Sequence, residues 1–135
     1  MFEMRRVFIS LFKKREPLIT HLESNTGGFT FRRDDDYTER VYWQKIERIC
    51  TYKTDCYSYD MIWLMFERKD KDAIYIREET KGFADFMSAM NKAFSEIDAE
   101  WYVTVQMPPF AENFMILYER ENHLNETQIQ NHEEK

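Results

Sequence analysis

The sequence predicts a single α+β domain, a mainly antiparallel twisted sheet with one principal amphipathic helix, at about residues 81–95, packed on it. Three observations carry that expectation. Short apolar runs with two-residue alternation recur between turn signals. One later stretch changes to apolar spacings of three and four. The 135 residues are 43% hydrophobic and 16% aromatic with only three glycines and three prolines, enough apolar mass for one core and too few breakers for a linker-rich chain. The domain is expected over residues 1–120, followed by a polar, flexible tail at 121–135.

The elements follow in order. Residues 2–12 alternate loosely as a strand, while Met4, Val7, Phe8 and Leu11 also share one helical face. The apolar run from Val7 to Phe12 is too short to span a membrane, and it ends at Lys13-Lys14-Arg15 without a small-residue cleavage site. It is expected to pack on the core, and the chain to be cytoplasmic with no membrane span. Thr26-Gly27-Gly28 signals a turn into a strand at Phe29-Thr30-Phe31, and Asp34-Asp35-Asp36 marks a solvated loop. Between Arg40 and Lys53 the apolar phase shifts near Gln44-Lys45. That suits a bulged strand or two short strands, with a short helix as the alternative.

Met61 to Phe66 is apolar on both faces, as a central strand covered on both sides would be. Glu67 to Asp72 then turns the chain into a hairpin partner at Ala73 to Arg77. Thr80 is the expected N-cap of the helix, whose stripe is Phe83, Phe86, Met87, Met90 and Phe94. Trp101 to Val105 reads as a further strand broken by Pro108-Pro109, and Phe114 to Tyr118 as a last strand at an edge.

Charge narrows the function. Residues 1–33 hold seven basic and three acidic residues, a net of +4. The rest hold 12 and 22, a net of −10. An acidic body repels phosphate backbones, so direct nucleic-acid binding is disfavoured. Catalytic and metal motifs are missing. His21, His123 and His132 are scattered, and Cys50 and Cys56 form neither a CxxC pair nor a Cys/His cluster, so no metal, cofactor or disulfide framework is expected. Gly27-Gly28 is too little to cradle phosphate. The adjacent acids Glu78-Glu79 and Asp34 to Asp36 read as solvated-face or loop acids rather than carboxyls held across a cleft. The expectation is a protein that is not an enzyme.

Aromatic placement is the positive signal. Tyr42, Trp43, Tyr52, Tyr57, Tyr59, Trp63 and Tyr75 crowd into about a quarter of the chain, and tyrosine and tryptophan often anchor interfaces. The run from Tyr52 to Tyr59, mixed with Asp55 and Asp60, is the least core-like part. The candidate partner-binding residues are therefore Asp34, Asp35, Asp36, Asp55 and Asp60 for charge, with Tyr57 and Tyr59 for contact area.

Val41-Tyr42-Trp43-Gln44-Lys45-Ile46-Glu47-Arg48-Ile49, followed by two strands and the helix opening at Gly82-Phe83, resembles the core of bacterial pleckstrin-homology-like domains over residues 29–95. That resemblance implies a small-molecule or lipid-binding module, although acids stand where a basic lipid-binding loop is expected. In size, charge and lack of active-site motifs the chain is also similar to the immunity proteins of bacterial contact-dependent growth-inhibition systems. This second resemblance implies a cytoplasmic inhibitor of a cognate toxin domain. A nuclease with a basic substrate groove would be the partner whose charge fits, occluded by carboxylates and aromatic anchors.

Overall fold

The computed structural model describes residues 16–108 and 113–120. The expected N-terminal element at 2–12 and the tail at 121–135 lie outside the described residues. Two antiparallel sheets organise the rest. The first contains β1 (Ile19–Asn25), β2 (Gly28–Arg33) and β3 (Thr38–Tyr42) in that order. The second has the order β6-β5-β4-β7, from β4 (Ile46–Asp55), β5 (Asp60–Arg68), β6 (Ile74–Arg77) and β7 (Phe114–Glu119). Helix α1 spans Phe83–Ala93 and a short α2 spans Trp101–Val105.

The first hairpin forms where Asn25 can act as its own turn. Its side-chain oxygen accepts hydrogen bonds from Gly27 N at 2.9 Å and Gly28 N at 3.1 Å, closing the chain onto β2. Gly28 is required for a different reason. A Cβ there would lie 2.0 Å from the Val41 carbonyl oxygen on β3, so only glycine allows that approach. The phase shift seen near Gln44 is a 3-10 turn at Trp43–Lys45 that carries the chain from the first sheet to the second. Of the readings open for 40–53, two strands is the one observed.

β5 is paired on both sides, and its inward phase of Ile62, Leu64 and Phe66 is fully buried. Opposite it, β2 contributes Phe29 and Phe31. The centre is aromatic. Phe86 of α1 meets Phe29 edge-on at 4.9 Å and Phe66 at 5.5 Å, while Trp43 closes the gap against Phe29 and Phe94. Each such buried ring contributes about 1.5–3 kcal/mol, plus about 0.5–1.5 kcal/mol for a well-oriented pair. The helix therefore staples both sheets to one core, and the space between them is filled with side chains.

Two local expectations are corrected. Thr80 is not the N-cap; Gly82 is, at φ 91 and without a side-chain cap. Residues 80–82 are tied to β1 instead, by Leu22 N donating to Lys81 O at 2.9 Å and Lys81 N to Thr20 O at 3.3 Å. A left-handed glycine makes the turn from that tether into the helix, and a Cβ on it would lie 2.3 Å from Leu22 O. Trp101–Val105 is helical rather than extended. Trp101 and Val105, four residues apart, are both fully buried, and Asp98 Oδ1 accepts from Glu100 N at the start of the turn. Burial of one helical face outweighs the β propensity of a Val- and Thr-containing segment.

Candidate functional site

The β4–β5 hairpin presents an aromatic, acidic tip. Asp55 Oδ1 accepts a hydrogen bond from Tyr57 N at 2.9 Å, Ser58 N donates to Cys56 O at 2.8 Å, and Cys56 N donates to Tyr59 O at 2.8 Å. These bonds fix a tight turn in which Tyr57 is left-handed, at φ 71, and 96% exposed. Tyr59 is 46% exposed and its phenol is raised, chiefly by the nearby negative charge of Glu79, which brings the exposed loop after β6 beside the tip.

Behind the tip lies a 310 Å³ cleft, walled by Lys53, Asp60, Glu78 and Tyr102. Lys53 is 1% exposed. Its ammonium donates to Gln106 O at 2.8 Å and to Pro108 O, and lies 3.5 Å from Asp60 Oδ2. With its protons engaged this way, Lys53 is a structural cation joining the hairpin to the segment after α2, not a free nucleophile. Glu78 is bound as fully: Oε1 accepts Ile62 N at 3.0 Å and Oε2 accepts the Tyr102 hydroxyl at 2.5 Å. Burial, then the hydrogen bond to Glu78, pushes the Tyr102 phenol up to about 12. The polar groups of the cleft brace one another, leaving Tyr57, Tyr59, Asp55 and Glu79 as the outward-facing part.

The seven residues singled out by sequence do not form one patch. Asp55, Tyr57, Tyr59 and Asp60 come together at the tip. Asp34, Asp35 and Asp36 sit in the β2–β3 turn, where Asp34 Oδ1 accepts Leu18 N at 3.3 Å and Arg33 clamps Asp35 at 2.8 Å. The hydrogen bond from Arg33 lowers the Asp35 carboxyl. That turn leads into β3, whose Glu39 is bonded to Arg68 at the far end of β5 from Asp60. Along a nine-residue strand the two ends are about 26 Å apart.

Glu78 was expected as a solvated acid and is instead half-buried and doubly bonded. Lys53 was missed altogether, although one signal pointed to it: it stands in phase with Ile49 and Thr51, the inward positions of β4. His21 hydrogen-bonds the neighbouring Thr20 hydroxyl at 2.9 Å. Cys50 and Cys56 are free thiols, the first buried and raised by that burial.

Comparison with protein-family models, curated proteins and solved structures finds no match to this chain. No helix among the described residues is long and apolar enough to cross a membrane.

Proposed function

We propose that the chain is a non-catalytic protein-binding inhibitor, an immunity protein that acts in the cytoplasm by occluding a cognate toxin domain with the β4–β5 tip. A nuclease with a basic groove is the partner whose charge best fits a body of net −10. The observation that carries this reading is Tyr57. Left-handed backbone costs a residue with a Cβ about 1–2 kcal/mol, and Asp55 holds it there. A side chain that is 96% exposed gives almost nothing back to the fold. A fully displayed aromatic on a strained, fixed turn is suited to contact outside the molecule. Asp55 beside it and Glu79 beside Tyr59 supply the charge that would steer a basic partner.

Coexpression with the product of the neighbouring gene tests this. The two proteins are expected to copurify and the toxicity of the partner to disappear. Tyr57→Ala should weaken the complex about tenfold or more while leaving the melting temperature of the free protein unchanged. Full toxicity in the presence of folded, coexpressed protein would refute the reading, as would a Tyr57→Ala variant that binds and protects like the parent.

A further inference from the structure

A second, chemically opposite cleft lies at the far end of β5 from Tyr57. It measures 460 Å³ and opens between β3, the 3-10 turn and the β5–β6 loop. Five of its lining side chains are cationic, Arg40, Lys45, Arg68, Lys69 and Lys71. Three are carboxylates, Glu39, Glu47 and Asp70, so the lining carries a formal +2 on a chain whose net charge is −6.

The excess charge has a definite place. Glu39 is 13% exposed, and its Oε2 accepts from Arg68 Nη1 at 2.6 Å and from Lys71 Nζ at 2.7 Å. Two cations share one carboxylate at the base of the cleft, and Arg68 is itself only 10% exposed. The remaining positive charge is carried outward by Lys71, whose side chain is 58% exposed. Burial alone would raise the Glu39 carboxyl, but hydrogen bonds from Lys71 and Arg68 outweigh it and hold the group below its usual range, so the cluster persists at neutral pH.

The rim adds to this field. Lys45 and Lys69 are exposed and engage no carboxylate among the described residues. Among the described residues the partners of Arg40 are neutral: it donates to Asn25 Oδ1 at 2.7 Å and its guanidinium lies 5.1 Å from the centre of the Tyr42 ring. Tyr42 is 52% exposed at the same rim. Uncancelled ammonium groups favour a phosphate, an exposed aromatic ring favours a planar base, and the volume falls in the range of small-ligand sites, about 300–1,000 Å³.

We propose that this cleft binds a small phosphorylated anion of mononucleotide size, its phosphate held by Lys45, Lys69 and Lys71 and its ring resting against Tyr42. The site is independent of the toxin-binding tip, and each can fail without the other.

The test is a titration of the full chain, followed by amide chemical shifts, with AMP, inorganic pyrophosphate and adenosine as probes. AMP is expected to shift residues 39–45 and 68–71, pyrophosphate to shift the same residues, and adenosine to bind at least about tenfold more weakly than AMP. Lys45→Ser/Lys69→Ser should weaken AMP and pyrophosphate about tenfold together without lowering the melting temperature, because both side chains are exposed. Tyr42→Ala should weaken AMP and leave pyrophosphate unchanged. If only pyrophosphate binds, the nucleotide assignment is overturned. The site itself is overturned by any of three results: no shift at millimolar AMP and pyrophosphate, shifts centred elsewhere, or affinities that the double lysine variant leaves intact. Sulfate binding as tightly as pyrophosphate, and lost in moderate salt, would equally reduce the cleft to nonspecific charge and overturn the proposal.

Discussion

Lys53→Met is expected to destabilise the protein by about 2–3 kcal/mol, a large effect for one lysine on a strand. The methionine keeps most of the buried stem and removes the ammonium. Three interactions go with it: the bonds to the carbonyls of Gln106 and Pro108, and the 3.5 Å contact with Asp60. Gln106 and Pro108 are exposed residues, so water can replace the lysine at their oxygens, and the loss there is about 0.5 kcal/mol each. Asp60 has a 17% exposed side chain, so losing its cation costs about 1–2 kcal/mol, below the 3–5 kcal/mol of a fully buried pair. Urea denaturation at pH 7 reads the change directly, and for a chain of this length it corresponds to a fall in Tm of about 8–12 °C. Lys53→Met/Asp60→Asn should recover about 1 kcal/mol relative to the single variant, because the carboxylate charge is removed along with its partner. A Lys53→Met variant within about 0.5 kcal/mol of the parent would refute the structural role given to this lysine.

Glu39 has a lowered carboxyl, so its contribution to stability is complete above the ordinary glutamate pKa, about 4.3, and is lost as the pH falls through the lower folded value. Acid denaturation curves of Glu39→Gln should accordingly be flatter below about pH 4.3 than those of the parent. Tyr102 has a raised phenol, so its contribution is complete below about pH 10 and disappears as the pH rises towards about 12. Absorbance titration should show a tyrosine ionising near pH 12 that Tyr102→Phe removes. Gly82→Ala should cost more than about 2 kcal/mol in urea denaturation, because the methyl group meets the Leu22 carbonyl at 2.3 Å in a left-handed backbone. Tyr57→Gly should be no less stable than the parent, since glycine relieves the strain at φ 71, and yet should lose partner binding as Tyr57→Ala does.

How far the sequence could be read depends on how local each signal is. Asn25 to Gly28 carries its turn chemistry within four residues. Ile62, Leu64 and Phe66 announce a buried strand by period alone, and the stripe from Phe83 to Phe94 does the same for α1. Trp101 to Val105 was misread because its composition favours strand while the deciding term is burial of Trp101 and Val105 against distant elements. Thr80 looks like a cap until β1 claims the backbone of residues 80–82. Lys53 and Glu78 belong to one cleft only because β4, the end of β6 and α2 converge, which no spacing between positions 53, 78 and 102 reveals. The two acidic groups are separated for the same reason: sequence shows two clusters of aspartates but not that β5 lies lengthwise between them.

Among the described residues, the two non-glycine positions with left-handed backbone, Asp36 and Tyr57, sharpen what the structure adds. Each closes a turn between antiparallel strands, and each donates or lends its amide to fix that turn: Asp36 N to Arg33 O at 3.0 Å, Tyr57 N to Asp55 Oδ1 at 2.9 Å. Aspartate tolerates this conformation because its short polar side chain can hydrogen-bond locally, so Asp36 requires no further reason. Tyrosine has no such compensation, and its ring is almost wholly in solvent. Asparagine or glycine would make the same turn at lower cost. The choice of tyrosine at 57 is therefore not accounted for by the turn, by the core or by the hydrogen-bond network behind it. A contact made outside the chain would account for it, which is why the tip, and not the better-braced cleft behind it, is proposed as the binding surface.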